Sequence, residues 1–188
     1  MSGFILHTVN TAPEGARERL AKAQEKMGFV PNLWAIQAES PEMLEAYQTL
    51  AGIFDRTGFS IAERQVVMMT VNAENGCTFC VAAHSAIAKM QGIAPEIVLA
   101  LRDGTPIQDA KLEALRVFTR LMVQRRGWLE GAEVEAFKSA GYTNRDVLNV
   151  VLGVGYKILS NYTNHLADTP LNDAFKPFAW KNPADAPA

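Results

Sequence analysis

Apolar residues recur along this chain at three- and four-residue intervals, the spacing of one face of an α-helix. Nowhere do they alternate as in a strand. Ala, Leu and Ala at helical spacing mark a helix over residues 14–26, closed by Gly28, and a short helix is predicted over 31–37. Ser40-Pro41-Glu42 is an N-cap followed by proline at the first helical position. Met43, Leu44, Tyr47, Leu50, Ala51 and Phe54 then continue the pattern to Thr57-Gly58. Ser60-Ile61-Ala62-Glu63 reads as a capping box opening a helix through Val66, Val67, Met69, Thr70 and Ala73. Asn75-Gly76 breaks that helix and lets another start at Cys77, running to Gln91-Gly92.

The second half repeats the logic. Helices are predicted over 95–104, over 109–127 on Leu112, Leu115, Val117, Phe118, Leu121 and Met122, and over 130–140. Thr143-Asn144-Arg145-Asp146 starts a last helix, nearly all apolar from Val147 to Leu152 and therefore central. The segment up to His7 reads as loose. A proline- and alanine-rich tail begins at Asn172, with Phe175, Phe178 and Trp180 available for packing and residues 182–188 expected to fray. The fold class is all-α, one domain over 1–188 with its core at about 14–171 and its tail at 172–188. Segments 60–84 and 143–165 echo each other as a capped apolar helix, a break or bend, and a histidine soon after. The echo reads either as a duplicated two-helix unit or as the chance likeness of apolar helices.

Composition narrows the function classes. With 188 residues and 48% hydrophobic positions the chain can bury a core without disulfides or metal. A net charge of −2 gives no case for nucleic acid or an anionic membrane as partner. No apolar run reaches the length of a membrane span. The opening residues lack the basic flank and long apolar stretch of a secretory signal, so a cytoplasmic address is the default. In that compartment two cysteines three positions apart are catalytic or metal-binding rather than a static staple.

Both cysteines fall in Glu74-Asn75-Gly76-Cys77-Thr78-Phe79-Cys80-Val81-Ala82-Ala83-His84. At about 100° per residue, Cys80 and His84 lie roughly 60° and 20° to the same side of Cys77. Two thiols and an imidazole therefore share one stripe, with the sulfurs in the first turn. Unpaired N–H groups and the macrodipole favour a thiolate there, where thiols can titrate at about 3.5–7.5. His84, one turn beyond Cys80, can accept its proton, and one thiol can attack while the other resolves. The expectation is a pair of adjacent sulfurs at an accessible, electropositive helix end.

This pattern, with Glu63-Arg64 before it and Asn161-Tyr162-Thr163-Asn164-His165 … Pro170-Leu171 after it, resembles the carboxymuconolactone decarboxylase superfamily, in particular its alkyl hydroperoxidase D-like, peroxidase-related branch. The resemblance implies an all-helical bundle assembled into homo-oligomers, trimers or hexamers. It implies reduction of hydrogen peroxide or small organic hydroperoxides, with Cys80 as the peroxidatic thiol, Cys77 as the resolving thiol and His84 in the proton relay. The implied reductant is a dithiol, in well-known relatives a lipoyl-bearing protein, and no flavin, haem, nicotinamide or metal cofactor is implied. The family's relay glutamate corresponds by spacing to Gln65, which cannot take a proton. Glu74, three residues before Cys77, is the expected substitute, and Glu63 is read as the capping-box carboxylate.

Other readings stand beside this one. The cysteines are alternatively small buried hydrophobes, or, with His84 and either Glu74 or His165, ligands of zinc. The chemistry is alternatively thiol–disulfide exchange or redox sensing without efficient peroxidase turnover, or the lactone decarboxylation that names the superfamily. His165 reads as a helix-terminal histidine more readily than as a catalytic one.

Overall fold

A computed structural model describes residues 3–183, which form nine α-helices and one short 3-10 helix, with no strand among the described residues. The helices are α1 (Glu14–Met27), α2 (Asn32–Gln37), α3 (Pro41–Asp55), α4 (Ile61–Glu74), α5 (Thr78–Met90), α6 (Pro95–Asp103), α7 (Ala110–Gln124), α8 (Gly131–Ser139) and α9 (Asn144–Ala167), followed by the 3-10 helix Asp173–Phe178. The start signals act as side-chain chemistry requires. Ser40 Oγ accepts from the Met43 N–H. Ser60 with Glu63, and Thr143 with Asp146, form reciprocal capping boxes that satisfy otherwise unpaired backbone N–H groups.

At the centre lies α4, buried continuously from Gln65 to Asn72 and packed against α5, α7 and α9. A face-to-face stack of Phe118, Phe137 and Tyr142, with centroids 4.1 and 4.3 Å apart, closes one end of the core. α9 crosses α3 and α4 at Gly153, where a Cβ would lie 2.7 Å from Val67 Cγ1 and 2.9 Å from Phe54 Cε2. Only glycine permits that approach, and it fixes how deeply the polar side of α9 reaches toward α5.

Two expectations are corrected. α9 is unbroken across residues 144–167, so the second half of the echo is not a two-helix unit. Gly76 takes a left-handed φ of 66° and ends a helix, whereas Gly153 and Gly155 keep negative φ inside one. The N-terminal segment is pinned rather than loose. The His7 N–H donates to the Ala35 carbonyl, and the imidazole sits between the Thr11 carbonyl (3.0 Å) and the Glu39 carboxylate (2.6 Å). The tail packs closely. Phe175 meets Phe29 and Phe79 edge-on, Trp180 Nε1 donates to the Arg102 carbonyl, and Arg102 donates to the Phe178 and Ala179 carbonyls. Of the residues expected to fray, 184–188 lie outside those described, while Asn182 stands against Gly76, its Nδ2 3.3 Å from where a Cβ would be.

Candidate active site

The site begins where α4 stops. Asn75 and Gly76 turn the chain, the Cys77 N–H returns to the Asn72 carbonyl at 2.9 Å, and Cys77 becomes the N-cap of α5 with extended φ and ψ of −77° and 93°. Cys80 is then the third residue of α5, and both thiols are free. Asn164 Nδ2 donates to Cys80 Sγ at 3.1 Å and stands 3.8 Å from Cys77 Sγ, so one amide spans the pair.

The rest of the site comes from α9. Lys157, Ser160, Asn161 and Asn164 follow one another at i, i+3, i+4 and i+7, which puts them on one face, and all four are buried. Ser160 Oγ lies 3.9 Å from Cys80 Sγ. Asn161 donates to Asn72 Oδ1 and accepts from Asn75, a ladder that ties α9 to the end of α4. Lys157 Nζ is 3.0 Å from His84 Nε2. An ammonium only donates, so Nε2 accepts and the ring proton sits on Nδ1, which donates to Gln65 Oε1 at 3.1 Å. Gln65 Nε2 in turn donates to Gln91 Oε1 at the surface.

The electrostatics separate the two thiols. Burial alone raises the Cys80 thiol, but the Cys77 thiol, the Lys157 charge and the Asn161 and Asn164 amides more than reverse this and bring it down to about 6. Cys77 moves the other way, well above the ordinary thiol range, because of its hydrogen bond to Cys80, then burial, then the Cys80 charge. One sulfur is held as a thiolate and its neighbour as a thiol. Burial first, and then the Lys157 charge, hold His84 neutral, well below the ordinary histidine range. Lys157 itself is 1% exposed, and among the described residues no carboxylate pairs with it.

Of the residues expected from sequence, Cys77 and Cys80 are brought together under the Asn164 amide, while His84, one turn further along α5, bonds Lys157 and Gln65 rather than a thiol. Glu74 is not. It is exposed and its carboxylate accepts from Gln124 Nε2 at 2.8 Å. It lies nine positions after Gln65, about 180° around α4, so it faces away from His84. Gln65 stays at the relay position as a hydrogen-bond link. Glu63 closes its capping box, and His165 is exposed beside Tyr162. Among the described residues no three histidine, cysteine or acidic side chains are grouped to hold a metal ion. The expected accessibility is also corrected. Cys77 is 1% and Cys80 2% exposed, because α9 and the C-terminal segment cover the start of α5. Lys157 and Asn164 were missed as site residues. Their signal is a polar stripe of 3,1,3 spacing inside a helix that otherwise reads as apolar.

Residues 41–120, from α3 into α7, match the model of the carboxymuconolactone decarboxylase family. The chain as a whole has the alkyl hydroperoxidase D-like fold. An uncharacterised peroxidase-related protein of Ralstonia eutropha, with an alkylhydroperoxidase AhpD core, superposes with a TM-score of 0.81 at 23% identity, over 90% of this chain and 92% of that one. A peroxidase-related protein of Silicibacter sp. gives 0.73 at 23% identity, over 87% and 88%. The debrominase Bmp8 gives 0.76 at 15% identity, over 93% and 94%. At these identities the likeness is one of fold. No curated protein matches the chain in sequence. The family match ends before α9, so Lys157, Asn161 and Asn164 lie outside it.

Proposed function

We propose that the protein is a thiol-dependent, peroxidase-like oxidoreductase that reduces hydrogen peroxide or small organic hydroperoxides through a Cys77/Cys80 dithiol–disulfide cycle. The observation that carries this reading is the pair of free thiols in the first turn of α5, spanned by one Asn164 amide 3.1 Å from Cys80 Sγ and 3.8 Å from Cys77 Sγ, in surroundings that favour the thiolate of Cys80 and the thiol of Cys77. Peroxide reduction needs that asymmetry: the thiolate attacks and is oxidised to sulfenic acid, and the thiol then condenses with it to a disulfide. Electrons return from a dithiol reductant, which the buried pair meets after the cover over α5 moves. Homo-oligomer assembly belongs to the same proposal. Its motive is the apolar outer side of α9, where Leu148, Val151, Tyr162 and Leu166 are all exposed, and light scattering of the purified protein tests it. Lactone decarboxylation makes no use of a thiolate beside a buried lysine.

A second reaction suits the same two electrons. The fold also serves a debrominase, solved with 2,3,4-tribromopyrrole in its C82A variant, and reductive removal of bromide from a small ring is chemistry open to a dithiol. The enclosed thiols favour the smaller hydroperoxide. Mass spectrometry after equimolar hydrogen peroxide is expected to find a loss of two hydrogens that dithiol restores. C77S is expected to consume about one peroxide per site and stop at sulfenic acid, and C80S to consume none. No mass change in the wild type would refute the peroxidase reading, and bromide release from a bromopyrrole without peroxide turnover would favour the second reaction.

A further inference from the structure

We propose that Lys157 is the acid of this site: it pairs with the Cys80 thiolate, protonates the oxygen that leaves the hydroperoxide, and surrenders its charge when the dithiol becomes a disulfide. This rests on the thiol-oxidation reading above and adds to it the source of the proton. The sequence resemblance puts a histidine in that role, and the geometry does not. His84 Nε2 is already occupied by Lys157 Nζ at 3.0 Å, and its Nδ1 proton is held by a glutamine, which is no base.

Lys157 is 1% exposed and meets the Tyr156 ring at 5.1 Å, with no carboxylate partner among the described residues. A buried ammonium requires an anion. It lies on the face of α9 whose next members, Ser160 and Asn164, reach Cys80, and its charge acts on both thiols. The titratable groups around it are Cys77, Cys80 and His84 from α5, Tyr47 from α3 and Tyr156 on α9 itself, with Gln65 from α4 neutral. Burial holds His84 uncharged and keeps Tyr47 protonated. Near neutral pH the anion left to pair with Lys157 is the Cys80 thiolate.

The proton balance follows. The thiolate of Cys80 attacks the terminal oxygen of the hydroperoxide; an S–O bond forms, the O–O bond breaks, and sulfur is oxidised by two electrons. The leaving alkoxide takes a proton from the Lys157 ammonium and departs as the alcohol. Cys77 sulfur then attacks Cys80 sulfur; an S–S bond forms, the S–O bond breaks, and hydroxide leaves with the Cys77 proton as water. A thiolate, a thiol, an ammonium and a hydroperoxide have become a disulfide, an amine, an alcohol and water. The thiolate and the ammonium are consumed together, so the step leaves no net charge behind.

Proton counting tests this. Reduced protein in weakly buffered solution at about pH 7.5, above the lowered thiolate value, is oxidised with a stoichiometric azodicarboxamide reagent, and the pH change is read with an indicator dye. Oxidation then draws one proton from Cys77 and one from Lys157, so the wild type is expected to exchange no net proton with solvent. K157R keeps a charge it cannot give up and is expected to take up one proton per disulfide. K157M is expected to slow iodoacetamide alkylation of Cys80 at pH 7 by about tenfold for each pH unit by which its thiol titration rises. Uptake of one proton per disulfide by the wild type overturns the proposal, and that count stands even where K157R or K157M fails to fold. The azo reagent oxidises the dithiol whether or not hydroperoxides are substrates. Absence of peroxide turnover therefore defeats the proposed function while the proton count still decides, separately, whether Lys157 gives up its charge.

Discussion

Replacing Gly153 and Gly155 with alanine, one at a time, measures how tightly α9 is seated. Both are helical positions two residues apart, so alanine brings each the same backbone benefit, about 1 kcal/mol over glycine. Their surroundings differ. At Gly153 the new Cβ meets Val67 Cγ1 at 2.7 Å and Phe54 at 2.9 and 3.0 Å, whereas no atom of the described residues lies within 4 Å of one at Gly155. Phe54 and Val67 are fully enclosed and have no free space to yield into. Overpacking of this kind costs about 1–3 kcal/mol. G155A is therefore expected to be more stable than the wild type by up to about 1 kcal/mol, and G153A to be less stable than G155A by about 1–3 kcal/mol. Urea denaturation at constant m reads the difference as a shift in midpoint, and thermal melts read it at about 2–4 °C per kcal/mol. G153A is also expected to raise the Cys80 titration, because Lys157 lies one turn beyond the glycine on the same helix. If G153A gains as much stability as G155A, the close crossing of α9 over α3 and α4 is wrong, and with it the depth at which the polar stripe reaches the thiols.

Further outcomes concern the site itself. N164L removes the amide donor 3.1 Å from Cys80 Sγ; losing a charge-assisted hydrogen bond of about 1.5–3 kcal/mol should raise the pH at which Cys80 becomes alkylatable by about one to two units. The reduced protein should gain stability as pH rises from about 6 to about 8, below the range in which the raised Cys77 thiol works in the opposite direction. A thiol with a lowered folded value is deprotonated in the native chain while still protonated in the unfolded one, and the slope reaches at most about 1.4 kcal/mol per pH unit. Urea midpoints across that range check it, and C80S should lose most of the slope. The His84 C2–H resonance should not titrate between pH 5 and 8, since burial and the neighbouring ammonium keep the ring neutral; a midpoint near 6.5 would contradict the assigned tautomer. R102M releases Ser85 and the Phe178 and Ala179 carbonyls. It should speed reaction of the thiols with a bulky maleimide more than with iodoacetamide, and equal acceleration would argue against the C-terminal segment as their cover.

The helical plan was legible in the sequence because local signals, caps and left-handed glycines, were each sufficient to start or stop a helix. Ser60 with Glu63, Thr143 with Asp146, and Asn75-Gly76 ahead of Cys77 behave as their side chains demand. The thiol pair and His84 were legible for the same reason: they lie within one helical stripe. Lys157 and Asn164 were hidden because they are more than seventy positions from the cysteines, and no local rule brings two such segments together. α9 also misleads a hydropathy reading. It turns polar residues inward and leaves Leu148, Val151, Tyr162 and Leu166 outside, so its apolar composition says little about which side meets the core. Glu74 was favoured for its nearness in sequence, yet half a turn of α4 separates its direction from that of Gln65.

The enclosure of the sulfurs bears on how any rate should be interpreted. Asn164 Oδ1, beside Cys80, is buried and has no hydrogen-bond partner among the described residues, and both cysteines are almost wholly shut off from solvent. An encounter with oxidant must wait for a transient opening, so the observed constant is the intrinsic reactivity multiplied by the fraction of time the way in is clear. At low oxidant the kinetics are second order; at high oxidant they level off at the opening rate, whatever molecule is offered. A modest turnover in such a protein would report on the doorway rather than on the nucleophile behind it.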